Sequence, residues 1–476
     1  MTATGELLDM AEIDMTEESG QPIKDGEYGV FNNMNNAIDA AYIAQKKYMK
    51  QPMAFRSKLI SAMRAFMLKK ENMEVICQMA VEETGMGNYE HKLLKHELAT
   101  TKTPGVEDLV SEAFAGDHGL TLIEHSPFGV IGAVSPSTNP NETVICNSIG
   151  MLAAGNTVIF APHPSAKTTS ALTIKLLNKA IMEVGGPENL IVTTASPSIE
   201  SANIMFTSDK ITMLCATGGP GVVKIVLKSG KKAIGAGAGN PPALVDETAD
   251  IEKAAKDIID GCCFDNNLPC IAEKEVVVVE QVADDLVANM KKNGAYELTD
   301  AAKIKELEEL VIPGGRLSRD YVGRDAKTIL KGIGIDADPT VRVIIMETTK
   351  DHTFAVEELM MPVLPIIRVE NIAEGINVAV DLERGNRHTA IMHSTNVNNL
   401  NEMAKRVQTT IFVKNGPSYA GIGVGGEGYT TFTIAGPTGE GLTSARTFTR
   451  KRRCVLVNQL SDTEAAFHYT TFAENY

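Results

Sequence analysis

Cys270 closes the run Phe264-Asp265-Asn266-Asn267-Leu268-Pro269-Cys270 and leads into Ile271-Ala272-Glu273-Lys274. A thiol that follows an Asn-rich turn and opens a new element can have its pKa lowered by backbone N–H dipoles, which favours the nucleophilic thiolate. Most lone cysteines are instead small buried hydrophobes. Cys262 and Cys263, which end a predicted helix among apolar residues, fit that description. Upstream, Ser135-Pro136-Ser137-Thr138-Asn139-Pro140 follows a predicted strand. Two prolines around an amide make a stiff loop, readable as a plain turn or as a support aiming Asn139 at a developing negative charge. Thr217-Gly218-Gly219-Pro220-Gly221 joins a strand to a helix and offers free backbone N–H groups to a phosphate. Its spacing is not Gly-x-Gly-x-x-Gly, so a tight turn explains it equally well. The small residues from Gly235 to Pro242, Gly237 among them, admit a flat ligand or merely close packing of helix on strand. Taken from the residues alone, these segments describe a cysteine nucleophile near an α/β nucleotide site.

Other chemistries find little support. His91 and His96 are five apart and do not share a helix face at metal-ligand spacing, and the remaining histidines are scattered. The cysteines Cys77, Cys146, Cys215, Cys262, Cys263, Cys270 and Cys454 are odd in number, irregularly spaced and without a Cys-x-x-Cys pair. That pattern fits reduced thiols in a cytoplasm better than a disulfide framework. A net charge of −15 argues against nucleic acid or an anionic membrane as main partner, because such binding needs clustered cations. The run Arg450-Lys451-Arg452-Arg453 borders the apolar Val455-Leu456-Val457 and reads as the solvated start of a strand in preference to an anion contact. No apolar stretch is long enough to span a bilayer, and the acidic N-terminus lacks the plan of a secretory signal.

The elements that must position these groups follow from periodicity. Ile60, Met63, Phe66 and Met67 fall on one helix face within a helical region running from Asn33 to Gly85, where Gly85 is a natural stop. From about residue 120 the texture changes. Val130–Val134, Thr157–Phe160, Leu190–Thr193 and Ile211–Cys215 read as buried strands, with Thr168–Val184 and Ile199–Met205 as the helices between them. Ala243–Val245, Glu275–Glu280, Val341–Met346, Ile366–Val369 and Ala390–Met392 continue the strands, and Ile251–Gly261, Val282–Asn293 and Ile372–Leu382 the helices. Such alternation means βαβ units and parallel sheets covered on both faces. The Gly- and Thr-rich stretch from Gly416 to Gly441 is not regular helix, and no fixed-period repeat is visible.

In series, these segments resemble the aldehyde dehydrogenase superfamily, and within it the CoA-acylating branch that acts on acetaldehyde, propionaldehyde and butyraldehyde. The likeness covers roughly residues 28 to 458 and is carried by Pro136 to Pro140, Gly235 to Pro242, Phe264 to Cys270, Glu358 to Pro362 and Pro437 to Gly441. The resemblance implies an α/β fold of two Rossmann-like domains with a small oligomerisation extension. It divides the chain into a flexible acidic segment (1–25), a cofactor-binding domain (26–236, completed by about 426–458), a catalytic domain (237–425) and a tail (459–476). It makes Cys270 the nucleophile and Asn139 the side-chain donor of the oxyanion hole, together with the Cys270 backbone N–H. Glu358 would hold the nicotinamide ribose, Thr217, Gly218 and Gly219 would lie over the pyrophosphate, and Gly237 would touch the cofactor.

Departures from the pattern matter as much. Hydrolytic members carry a water-activating glutamate before paired glycines, and aligning that motif on Ile234 to Pro241 puts Gly235 there. General-base help is worth about 10²–10⁴ in rate, enough to hand the acyl group to a thiol such as CoA when it is missing. Pro162 and His163 stand where the family's adenosine-ribose Lys-Pro is expected, which leaves NADP open beside a favoured NAD. The resemblance therefore implies reversible, ping-pong conversion of a short-chain aldehyde and CoA to an acyl-CoA, in a homodimer or a dimer of dimers. It leaves open residence inside a bacterial microcompartment with contacts to shell proteins. For those contacts Leu8, Ala11 and Met15, or the aromatic tail Phe467, Tyr469, Phe472 and Tyr476, are candidates, with a disordered tail ahead of either. The rivals are a hydrolytic dehydrogenase and a catalytically silent scaffold or shell-binding protein. A simple cysteine hydrolase ranks lower, since no histidine sits in a recognisable partner motif.

Overall fold

The structure is a computed structural model, and it describes residues 25–457. The candidate targeting segments at both termini lie outside those residues.

Helices Met34–Tyr48, Met53–Met67, Lys70–Thr84 and Tyr89–Lys102 form the first quarter of the chain. The face set by Ile60, Met63, Phe66 and Met67 is buried, and Gly85 caps the third helix at a left-handed φ of 66°, which only glycine adopts without cost. Then comes a six-stranded, all-parallel sheet, in spatial order Val30–Phe31, Ile191–Thr194, Thr157–Pro162, Val130–Ser135, Met213–Thr217 and Lys232–Ala236. Its central strands are near-continuous apolar runs because helices cover both faces.

A seven-stranded parallel sheet follows, ordered Ala295–Glu297, Val343–Glu347, Val363–Val369, Glu275–Val279, Pro242–Val245, Thr389–His393 and Ile411–Lys414. One continuous apolar cluster links residues from both sheets, for example Ile131, Ala243 and Val276. A separate three-stranded antiparallel sheet pairs Thr449–Val457 with Gly119–Pro127 and that strand with Glu112–Gly116. The Arg450–Arg453 run lies on its exposed outer strand, where Arg452 pairs with Glu124 at 2.8 Å, as a solvated strand should.

Helix Pro140–Ala153 has no counterpart among the sequence-derived elements. Every residue in it is buried, polar Asn141, Glu142, Asn147 and Ser148 included, so no solvent-facing side sets a helical period to read.

Candidate active site

One cavity of about 610 Å³ is lined by residues at the strand ends of both large sheets. The six-stranded sheet contributes the C-terminal ends of its strands. Strands Val130–Ser135 and Met213–Thr217 are neighbours although far apart in sequence, so the connections run outward in opposite directions from the gap between them. Ligands of doubly wound sheets bind at such a switch point. The seven-stranded sheet contributes residues just before its strands begin: Cys270, Glu358, Met360 and His388. Asn139, Pro162, His163, Thr217, Gly218, Gly219, Gly237, Cys270 and Glu358, all singled out from the sequence, line this one cavity.

The loop that leads into Cys270 is bent by Asp265, Asn266 and Asn267, three consecutive residues with φ of 50°, 54° and 66°. Aspartate and asparagine tolerate this left-handed region better than other side chains, which is the reason for the Asn-rich composition. Buried partners hold the bend. Asn267 donates to the Cys262 and Glu273 carbonyls at 2.9 Å each and accepts from Lys274 Nζ at 2.5 Å. Asp265 meets Lys92 and Lys95 at 2.9 and 2.6 Å.

The Cys270 thiol departs from the lowered pKa expected from the sequence. Burial pushes it up to about 12; the Glu358 carboxylate adds to this, and Lys274 and the cysteine's own N–H only partly oppose it. Low dielectric around the sulfur therefore outweighs the backbone dipoles.

Asn139 is the N-cap residue of helix Pro140–Ala153, yet its side chain makes no capping bond. Its Oδ1 accepts from Lys95 Nζ at 2.7 Å and its Nδ2 donates to Thr138 Oγ1 at 3.2 Å. Glu358 Oε1 accepts from the Gly239 N–H at 3.3 Å, and burial raises the Glu358 pKa against the pull of Lys274. The cofactor-side wall is open. A Cβ added at Gly219 or Gly237 would meet nothing within 4 Å, and Gly219 caps helix Pro220–Leu227 without a side-chain bond. Free N–H groups facing open space are suited to a pyrophosphate.

A family model described as the aldehyde dehydrogenase family matches residues 12–302 and 322–438. The chain belongs to the aldehyde dehydrogenase family. It is 50% identical to the CoA-propanoylating propanal dehydrogenase of Salmonella typhimurium, over 94% of this chain and 96% of that one. A solved Rhodopseudomonas palustris propionaldehyde dehydrogenase, with bound CoA and an acylated cysteine, superposes with a TM-score of 0.89 at 57% identity, covering 90% and 98% of the two chains. A propionaldehyde dehydrogenase from the fucose utilisation microcompartment of Clostridium phytofermentans gives 0.90 at 54%, covering 91% and 100%.

Two further features of this aldehyde dehydrogenase differ from the sequence reading. The first is Gly235, placed by alignment at the family's water-activating glutamate. In the fold a Cβ at Gly235 would fall 2.7 Å from Val223 Cγ1, against helix Pro220–Leu227, and Gly235 does not line the cavity; Ala236 and Gly237 do. A carboxylate is thus absent from this wall for a reason of backbone direction as well as residue type. Among the described residues, Glu358 is the one carboxylate on the cavity surface.

The second is His388, which the sequence reading passed over. It is buried and lies across Gly239 from the Cys270 backbone: Gly239 is pinched so tightly that a Cβ there would lie 2.7 Å from the Cys270 carbonyl oxygen and 2.9 Å from the His388 ring. Its Nδ1 bonds Thr389 Oγ1 at 2.9 Å, while Nε2 has no partner. Burial, reinforced by Lys274, lowers its pKa to about 4, so the imidazole is neutral at physiological pH. The Clostridium phytofermentans relative has been solved with a cysteine and with a histidine each replaced by alanine; these two are separated by the same number of residues as Cys270 and His388. No local motif marks His388, because it meets Cys270 only through the pairing of distant strands Glu275–Val279 and Thr389–His393 with Pro242–Val245.

Proposed function

We propose that this chain converts a short-chain aldehyde and CoA to an acyl-CoA, with Cys270 carrying the acyl group and a nicotinamide nucleotide as oxidant. The observation that carries the reading is the single cavity holding Cys270, Asn139 and Glu358 beside the glycine-walled nucleotide side. The CoA-propanoylating relative and the relative with bound CoA and an acylated cysteine support it.

In this reading the Cys270 thiol releases its proton to solvent in the open cavity, the resulting thiolate sulfur bonds to the aldehyde carbon, and the carbonyl oxygen becomes an alkoxide. Asn139 Nδ2 and the Cys270 N–H stabilise that oxygen, an arrangement typically worth about 10²–10³ in rate per donor. A bound nicotinamide supplies the hydride acceptor. Thr217, Gly218, Gly219 and Gly237 would form its pyrophosphate wall, Pro162 and His163 its adenosine-ribose side, and Glu358 its nicotinamide-ribose side. Hydride loss leaves a thioester on Cys270. The CoA thiol attacks that carbonyl, its proton passes to neutral His388 Nε2, and Cys270 leaves as thiolate.

The same proposal includes assembly as a dimer or dimer of dimers, with residence in a microcompartment. Val455 and Val457, about 60% exposed on the outer strand of the three-stranded sheet, offer apolar surface for the first. The microcompartment origin of the Clostridium phytofermentans relative supports the second.

The test is NADH formation from NAD⁺ and propionaldehyde, with and without CoA. Turnover that requires CoA upholds the reading; equal turnover without CoA means hydrolysis, and none with any short aldehyde moves a silent scaffold ahead.

A further inference from the structure

A closed cluster of charge lies behind the cavity. Lys92 and Lys95, one turn apart on helix Tyr89–Lys102, meet Asp265 of the nucleophile loop and Glu142 of helix Pro140–Ala153, and all of these side chains are 0% exposed. Removing charges from water costs several kcal/mol each before pairing, so a fold that only needed packing would fill this space with apolar residues. Lys92 Nζ donates to the Thr138 carbonyl at 2.9 Å. Lys95 Nζ lies 2.6 Å from Asp265 Oδ2 and 3.2 Å from Glu142 Oε1 and donates to Asn139 Oδ1 at 2.7 Å. The oxyanion loop and the nucleophile loop thus share one cationic anchor.

We propose that Lys95 is a positioning residue of the oxyanion site, locking the Asn139 amide so that Nδ2 and not Oδ1 faces the aldehyde oxygen. An asparagine amide has two ends of similar size and opposite polarity, and the wrong end would repel an alkoxide. Thr138 Oγ1 cannot enforce the choice, because a hydroxyl both donates and accepts and would satisfy either end. An ammonium has three donors and no acceptor, so it bonds only to Oδ1; a flipped amide would set N–H groups against N–H groups. Burial works against the Lys95 charge, but Asp265 and Glu142 outweigh it and hold the group protonated. Those carboxylates also fix the ammonium in place, and through Asp265 the lock is tied to the bend that carries Cys270.

The inference rests on reading Asn139 as the oxyanion donor, and its test separates the two. Measure kcat and the nucleotide and aldehyde KM for K95M, N139A and K95M/N139A, with CoA saturating. N139A is expected to lower kcat by about 10²–10³. K95M should lower kcat by about tenfold or more with the nucleotide KM unchanged, and adding it to N139A should cost less than about threefold, since no amide remains to orient. If the two losses multiply, or if K95M keeps wild-type kcat, Lys95 does not act through Asn139 and the inference falls. If N139A itself keeps wild-type kcat, the reading of Asn139 falls first. K95M/E142Q removes one positive and one negative group and leaves Lys92 paired with Asp265. It carries the same expectation if K95M alone does not fold, and K95R, which keeps charge and donors, should recover most of the kcat.

Discussion

Along the C-terminal edge of the six-stranded sheet, the cavity wall is backbone, glycine and small polar side chains, open to solvent and almost without charge. Along the N-terminal edge of the seven-stranded sheet it carries the ionisable groups Cys270, Glu358 and His388, with the buried Lys274 close by, each with its pKa moved by burial. One edge presents main-chain donors to a ligand of fixed shape, which needs access and no tuning. In the proposed function the other makes and breaks covalent bonds, which calls for side chains whose protonation is shifted by being held out of water. A strand's C-terminal end offers the free N–H groups of the following helix, whereas the chain arriving at a strand start is already committed to the core.

The sharpest way to break that comparison is Cys270→Ala. If chemistry and nucleotide binding belong to different edges, NADH formation should fall by more than about 10⁴-fold, the scale for loss of a covalent nucleophile. Nucleotide affinity measured by titration should stay within a few-fold of wild type. Loss of both would show that the edges are not separable.

His388→Ala is expected next. Removal of general-base help typically costs about 10²–10⁴. In a stopped-flow experiment the first turnover of NADH should persist, while steady-state turnover with CoA should drop by that factor; equal loss of both phases would deny His388 a role confined to acyl transfer. His388 also carries a pH signature. Its folded pKa of about 4 lies below the ordinary value near 6.5, so the unfolded chain binds a proton that the folded chain refuses. Its contribution is present in full above about 6.5 and is lost as pH falls toward about 4. His388→Gln should flatten the fall in thermal midpoint across that window.

What the sequence made legible follows the same division. Glycine, proline and asparagine mark backbone geometry wherever they stand, so the loops at Pro136–Pro140, Gly218–Gly219 and the bend at Asp265–Asn267 could be found without a fold. The parallel strands were legible because burial on both faces leaves uninterrupted apolar runs. The all-buried helix Pro140–Ala153 was not, because its polar residues are buried along with its apolar ones and no solvent-facing side marks it. His388 and Lys95 were illegible for another reason: their partners lie 118 and 44 residues away, and nothing local distinguishes a buried lysine of a helix from a solvated one. The thiol pKa failed likewise, since desolvation is a property of the whole neighbourhood and dipoles of the local turn alone.

Gly235→Glu tests whether the bare edge can be given chemistry. Its Cβ would press on Val223, 2.7 Å away, and overpacking of this kind costs about 1–3 kcal/mol. The thermal midpoint should fall, and CoA-independent turnover should not rise. A rise would mean that a carboxylate at residue 235 reaches the cavity after all, and that the residue type, not the backbone direction, excludes water attack.

The smallest effect comes from Glu358→Gln, which stays on the charged edge and alters a single neighbour of the sulfur. After burial, the Glu358 carboxylate is the largest influence holding the Cys270 thiol up at about 12. Removing its charge lowers the thiol pKa and raises the thiolate fraction at any pH below it, so iodoacetamide should inactivate the variant a few-fold faster at pH 8. Burial still dominates, and the rate for both proteins should keep climbing through pH 10 without a plateau. A plateau near pH 8 in wild type would mean that the thiol titrates in the ordinary range, and the contrast between a tuned and an untuned edge would fail at its central residue.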